Sequence, residues 1–483
     1  MLYKKTEDYI LYQGKMEEEL KNFDSNSIDS IVTDPPYELN FMNKGWDNSG
    51  IAFQKSTWEH CFRVLKPGGY LLAFGGSRTF HRIAVAIEDA GFEIRDTIMW
   101  LYGSGFPKSL NLSKSIESKL VNGNASNTKW KTLDGTKVES GNWGINKNAF
   151  EYGFRPDDYA EDKHLRVDKV NYQTEEGKKW DGWGTCLKPA YEPIIVARKP
   201  CEGSATDNVL KYGVGGINID ECRIPISSSD IDMINAKSSK NPTNNYNQNE
   251  AKKYGDYALN IATKANEQGR FPTNVILTYD GTDYEEVCGG FPESKGASSQ
   301  NNYSNGHIYR GQSLQESNTS LSGYREWYND SGSASRYFYC AKASKKDRDE
   351  GLDSFEGRIE SDRNPECYSA NVPFNRSANV KKNIHPTVKP TELMQYLVRL
   401  VTPKGATILD PFMGSGSTGK AVMLENRERN ANYTFVGIEL TEDYLPICEA
   451  RIEFGKGYSN VPNTSDVKSK DTEEPKQLKK TLF

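Results

Sequence analysis

The eight cysteines of this 483-residue chain form no C-x-x-C pair, and only five histidines accompany them. A zinc ribbon and a disulfide framework are therefore not expected, no metal site is expected, and free thiols in a reducing compartment are. Long apolar runs are missing as well. Nothing approaches the roughly 18 residues that a membrane-spanning helix needs. The opening MLYKKTEDYI holds no apolar core of a secretory signal, so a cytoplasmic protein without a membrane partner is expected. There is no excess of positive charge. With 61 basic and 66 acidic residues the net charge is -5, so a nucleic-acid partner would have to be met by a local basic patch. Apolar residues are scarce, at 36%, against about 45–50% in an average globular chain counted with glycine. Part of the chain should be compact and part polar elaboration.

What is present reads first as α/β. IDSIVTD (28–34) is an apolar strand ending in an acid. TWEHCFRVLKPGG (57–69) has Trp58, Cys61, Phe62 and Leu65 at helical spacing and stops at Pro67-Gly68-Gly69. YLLAF (70–74), EIRDTIMW (93–100) and YEPIIVARKP (191–200) read as strands, and FHRIAVAIEDAG (80–91) as a helix. From about 201 to 383 the composition turns to Asn, Ser and Gln, which cannot bury enough apolar surface to offset chain entropy. Order returns at 384 with a helix (389–401), a strand ATILD (406–410), a helix from 416, a strand YTFVGIE (433–439) and a helix (442–454). Strands alternating with helices imply a covered parallel sheet. The expected organisation is one core, 1–200 with 384–457, interrupted by a loop-rich insertion at 201–383 and followed by a charged tail, 458–483.

Between strand 406–410 and its helix lies Asp410-Pro411-Phe412-Met413-Gly414-Ser415-Gly416-Ser417-Thr418-Gly419-Lys420. Three templates fit these letters. Gly414 to Lys420 reads as a phosphate-binding G-x-x-x-x-G-K, but Ala421 stands where a magnesium-binding hydroxyl belongs. Gly414, Gly416 and Gly419 also match the dinucleotide fingerprint, with Glu439 twenty residues on, at a strand end. A strand acid followed directly by Pro-Phe-x-Gly-x-Gly is, third, the pattern of S-adenosyl-L-methionine (AdoMet) sites. There the glycines admit close backbone approach, and two strand-end acids meet an amino group and ribose hydroxyls. The loop by itself does not separate NAD from AdoMet.

Asp34-Pro35-Pro36-Tyr37 ends the first strand. The prolines fix the backbone and remove N–H donors. What remains is an acceptor-only carboxylate, backbone carbonyls and an aromatic plane. Such a group of atoms accepts hydrogen bonds from an exocyclic amino group and stacks on the ring that carries it. A base reaches such a site only outside the duplex, and aromatic stacking offsets part of that cost.

TDPPY (33–37) with LDPFMGSGST (409–418) resembles the amino-directed DNA methyltransferases, which act on adenine N6 or cytosine N4. The catalytic motif precedes the cofactor motif by about 375 residues, an order that resembles the circularly permuted beta group. The resemblance implies a Rossmann-like α/β sheet, AdoMet as cofactor and double-stranded DNA with base flipping as partner. It leaves a homodimer open, and gives the insertion target recognition. It makes Asp34, Pro35, Pro36 and Tyr37 catalytic, and Asp410, Pro411, Phe412, Gly414, Ser415, Gly416 and Glu439 cofactor-binding. His385-Pro386-Thr387-Val388-Lys389-Pro390 resembles the remaining cofactor motif, so Thr387, Lys389 and Pro390 would line the methionine end. FMNKGWD (41–47), AFGGSRTFHR (73–82) and GSGFPKSLN (103–111) resemble a phage- and prophage-rich branch. One departure stands out: after LYQG (11–14) the family usually has an Asp facing the cofactor adenine, and this chain has Lys15. Asp as the first letter of the catalytic motif implies adenine N6. Cytosine N4, an RNA target, a non-catalytic DNA-binding or decoy protein, and an oxidoreductase are the other readings. No endonuclease constellation is visible.

Overall fold

Among the described residues of the computed structural model (1–39, 45–102, 109–122, 174–226, 231–232, 268–280, 293–294, 332–333, 338–343, 346–356 and 382–457), ten strands make one sheet. In chain order they are Leu2–Lys5 (β1), Tyr9–Gln13 (β2), Ile28–Thr33 (β3), Leu65–Phe74 (β4), Glu93–Tyr102 (β5), Tyr191–Arg198 (β6), Val275–Asp280 (β7), Tyr339–Ala343 (β8), Thr407–Asp410 (β9) and Thr434–Glu439 (β10). Across the sheet they run β1-β2-β10-β9-β3-β4-β6-β5-β7-β8. β2, β10, β9, β3 and β4 are mutually parallel. β6 is antiparallel to both of its neighbours, β4 and β5.

Burial explains the pattern. All six residues of β3 are buried, and so are nine of the ten in β4. Parallel strands covered on both faces read as continuous apolar runs. The covers are Lys55–Val64 (α1), Phe80–Asp89 (α2), Thr391–Val401 (α3), Ser417–Arg429 (α4) and Leu445–Lys456 (α5). α1 buries Trp58, Cys61 and Val64 against Ile31, Leu65, Leu71 and Ile87 in one cluster, and the Trp58 indole donates to the Ala52 carbonyl at 2.9 Å.

The helix expected over 57–69 ends at Val64, and β4 begins one residue later. Pro67-Gly68-Gly69 is a bulge: Ile28 pairs with Leu65 and Ser30 with Tyr70, so extra residues loop out between them. Gly68 sits at φ +79°, and a Cβ there would come within 2.1 Å of the Asn208 amide. β1 and β2 were not foreseen as strands.

The chain divides into two compact units: 1–218 with 274–281 and 340–483, and 219–273 with 282–339. The first holds the sheet, including β7, which lies within the stretch read as insertion. In the second, Ile224 and Arg270 form an antiparallel bridge, and Glu293–Ser294 pairs with Gly332–Ser333. Arg310 and Arg336, two cations of the insertion, lie outside the described residues, as does the tail from 458. No helix among the described residues is long and apolar enough to cross a membrane.

Candidate active site

Strand order reverses between β9 and β3. From β9 the chain crosses by α4 to β10 on one side, and from β3 by α1 to β4 on the other. Ligands of open α/β sheets bind at that point, beyond the carboxyl ends of the strands. Permutation has separated the two strands in sequence, yet Leu409 pairs directly with Ile31. Asp410 and Asp34 therefore leave the sheet side by side. Above them opens a cavity of about 1670 Å³, lined from Gly14 on the β2 side to Tyr102 and Glu192 on the β5–β6 side. Ordinary small-ligand pockets hold about 300–1,000 Å³, so this one has room for two ligands.

The glycine loop is built by its own surroundings. Asp410, buried, accepts from the Thr33 hydroxyl at 2.7 Å, the Phe412 amide at 3.2 Å and the Thr418 hydroxyl at 2.6 Å. Burial pushes its carboxyl up to about 6 against those hydrogen bonds. Glu439 accepts from the Gly414 amide at 2.8 Å and the Thr441 amide at 2.7 Å, and burial pushes it up to about 7. Gly416 is left-handed at φ +74°, and a Cβ there would lie 2.9 Å from the Cys448 Cα. Its smallness thus serves the packing of α5. Arg451, fully buried, donates to the Ser415 carbonyl at 2.8 Å and to the Ser415 and Ser417 hydroxyls at 3.0 Å.

Lys420 decides between templates. Its ammonium is fully buried away from the cavity, 2.6 Å from Asp347 Oδ1 and 2.7 Å from Glu350 Oε2. It is not placed to meet a phosphate. Burial alone would raise the Asp347 carboxyl, but Lys420 and Arg451 bring it below its ordinary value. Asp347 also accepts from the Thr391 amide at 2.6 Å, at the start of α3.

The second half of the cavity centres on Asp34. Its Oδ2 accepts from the Lys389 ammonium at 2.7 Å, whereas its Oδ1 is buried with no hydrogen-bond partner. A buried acceptor without a donor is costly and uncommon. Tyr37 donates to Glu192 Oε2 at 2.8 Å. Its backbone carbonyl accepts from Thr79 at 2.8 Å, and Gly76 leaves room for its ring. The turn that follows is strained, with Glu38 at φ +55°. Buried Asp47 holds it by accepting from the Glu38 amide at 2.9 Å and the Leu39 amide at 3.2 Å. His385 packs edge-on against Tyr444, its ring centroid 4.7 Å away, and burial pushes it down to about 4. Its Nδ1 pairs with the Thr387 carbonyl oxygen, so Nδ1 carries the proton and Nε2 faces Gly414 as an acceptor.

Of the residues singled out from sequence, Asp34, Pro35, Pro36, Tyr37, Thr387, Lys389, Asp410, Pro411, Phe412, Gly414, Ser415 and Glu439 line this one cavity. Pro390 and Gly416 are not among the lining residues: Pro390 precedes α3 as its N-cap, and Gly416 backs onto Cys448. Glu192, His385, Asp47, Thr79 and Arg451 were missed. His385, Thr79 and Asp47 each stood inside a quoted motif; Glu192 stood in a stretch read as a strand and Arg451 in one read as a helix.

A family model described as DNA methylase matches residues 28–450. The type II methyltransferase M.HpaI of Haemophilus parainfluenzae is 38% identical over 109 residues, 21% of this chain and 34% of that protein. The type II methyltransferase M.HindIII of Haemophilus influenzae is 23% identical over 244 residues, 41% of this chain and 62% of that protein. The matches thus span about a third and about three fifths of these relatives' lengths. Among solved structures, the PvuII DNA methyltransferase, described as cytosine-N4-specific, is 13% identical with a TM-score of 0.37, covering 92% of this chain and 86% of that one.

Proposed function

The chain belongs to the DNA methylase family, and we propose that it is an AdoMet-dependent enzyme that methylates adenine N6 in double-stranded DNA. The observation that carries this reading is the buried, unpartnered Asp34 Oδ1, which shares a cavity with the glycine loop. A carboxylate oxygen can only accept. The donor that fits it is an N–H group brought in by the substrate, beside an aromatic ring on which the base can stack.

The residues at the loop fit the cofactor. Two buried strand-end acids stand there, and the loop's lysine is turned away, which suits a cationic, phosphate-free ligand and disfavours a pyrophosphate. Glu439, at the β10 end, would meet the ribose hydroxyls. The Gly414–Ser415 backbone, backed by Arg451, forms the wall toward Asp34. When bound there, AdoMet supplies an electrophilic methyl group on a sulfonium. The protein's part is to hold the amino group. Asp34 Oδ1 takes one N–H, which turns the nitrogen lone pair out of conjugation, and Tyr37 supports the flipped ring. With the sulfur left as a neutral thioether, the amino nitrogen would then give up a proton to water. Adenine is preferred over cytosine N4 because Asp, and not Ser, stands first in the motif. Within the insertion, 201–383, the residues outside the sheet unit (219–273 and 282–339) would choose the DNA sequence, since loops on a rigid scaffold commonly carry recognition.

Single-molecule sequencing of host DNA with and without expression tests the whole reading, because it reports base, atom and site together. N6-methyladenine at a defined sequence is the expected result. N4-methylcytosine would replace the base assigned here, and unmodified DNA from a folded, AdoMet-binding protein would favour a decoy.

A further inference from the structure

The Lys389 ammonium lies 2.7 Å from Asp34 Oδ2 and 3.4 Å from Glu192 Oε2, and its side chain is 8% exposed. The rings of Phe74 and Tyr37 have their centroids 4.9 and 5.2 Å away. Burial alone would pull this ammonium down, but the Asp34 and Glu192 carboxylates outweigh it, and the group stands above its ordinary value. One firmly held positive charge therefore sits between two carboxylates. Sequence resemblance gives Lys389 to the methionine end of the cofactor; the contacts give it to the Asp-Pro-Pro-Tyr motif.

We infer that Lys389 is a positioning residue for Asp34: through Oδ2 it holds the carboxylate and presents Oδ1 to the target amino group, while Glu192 sets how much of the lysine's charge Asp34 receives. The inference rests on the methyl transfer proposed above. Its physical basis is direct. A protonated Asp34 could turn an O–H donor toward the amino group in place of an acceptor. Without Lys389, two carboxylates would face each other in a partly buried site, and such a pair takes up a proton well above the ordinary range. Tyr37, Tyr102, His385 and Asp410 are neutral or acidic, and Arg348, in the same cavity, donates to the Asn383 and Pro386 carbonyl oxygens. Tyr37, on the same turn, is pushed well above its ordinary value by burial. Tyr102 of β5, 3.5 Å from Glu192, is pushed up as well. His385 is neutral above about 4. Asp410 is pushed up to about 6 by burial, with the Asp34 charge adding to the rise, and its own hydrogen bonds are with Thr33, Phe412 and Thr418.

The test is the pH profile of single-turnover methylation, with AdoMet affinity measured separately by calorimetry. In Lys389→Met the acid limb is expected to move up by about one pH unit or more, and the rate near pH 7 to fall on the order of tenfold. AdoMet affinity should stay within about threefold, since the inferred role is toward the target. Lys389→Arg should keep the limb near its wild-type position. Adding Glu192→Gln to Lys389→Met should bring the limb back down, because one of the two facing carboxylates is gone. Should Lys389→Met fail to fold, Glu192→Gln alone still decides: the limb is expected to move down, and an unmoved limb overturns the inference. An unmoved limb in folded Lys389→Met, or collapse of AdoMet affinity in both Lys389 variants, overturns it too. Full activity of Asp34→Ala would sink the methyl-transfer reading itself. An inactive Asp34→Ala beside an unmoved limb in Lys389→Met sinks only the role of Lys389.

Discussion

The two ends of the cavity are finished to different degrees. At the glycine loop both acids have both carboxylate oxygens engaged by the protein: Asp410 by Thr33, Phe412 and Thr418, Glu439 by Gly414 and Thr441. At the other end Asp34 has one oxygen on Lys389 and one with no partner. The loop's shape is set from behind by Arg451 and Cys448, whereas the Asp34 turn leaves an acceptor for an incoming donor. On the reading proposed above, a preformed cofactor wall would face a target site that its substrate completes. Fixed acceptors aimed at the reacting group require no reorganisation during the reaction.

The sharpest way to break this contrast is Asp34→Ala. Loss of the Asp34 acceptor should lower single-turnover methylation by on the order of a hundredfold or more, with AdoMet affinity unchanged by calorimetry. An equal loss of both would mean that the two ends are not separate. Gly416→Val strikes the other end. Its Cβ would meet α5 at 2.9 Å in a left-handed backbone, so AdoMet binding should fall below detection, with a lowered melting temperature. Unchanged affinity there would remove the loop from the cofactor site.

Lys420→Met probes the support behind the loop without touching the cavity. It strands Asp347 and Glu350 beside Arg451 alone. Breaking a buried ion pair from one side costs about 3–5 kcal/mol, and Asp347 keeps the Thr391 amide, so about 3 kcal/mol in denaturant titration is expected. AdoMet affinity should weaken less than stability does. A variant as stable as the wild type would show the cluster to be inert.

How much of this could be read from letters follows from the distance over which each contact acts. β3, β9 and β10 were legible because each is an apolar run ending in an acid, and the glycine loop because its constraint is local spacing. The β4 bulge was misread as a helix stop, since Pro-Gly-Gly marks either one and only the pairing with β3 decides. Glu192 was illegible: it meets Tyr37 across 155 residues of sequence. Asp47 and Thr79 stand in segments whose resemblance was noted, but their roles depend on the backbone of one turn, Tyr37 to Leu39. Lys389 shows the same limit from the other side. Its motif was visible and its partner, Asp34, lies 355 residues away.

The smallest expected effect sharpens the cofactor end itself. Burial holds the Glu439 carboxyl up to about 7, against about 4.5 for an ordinary glutamate. On the proposed reading ribose hydroxyls would donate to it, best when it is ionised, so the deprotonated form should bind the cofactor more tightly. The sign follows: AdoMet affinity should rise as pH rises through about 7 and level off above it, with a proton released on binding at pH 6.5. The rise should be about tenfold per pH unit below the transition at most. Calorimetry in two buffers of different ionisation enthalpy measures the released proton directly. Glu439→Gln should bind weakly at every pH and lose the dependence. Asp410 titrates near 6 and should leave the transition near 7 in place when its own partner is removed by Thr418→Val. If that variant moves the transition and Glu439→Gln does not, the titrating acid at the cofactor end is Asp410, and the loop and not the β10 end carries the linkage.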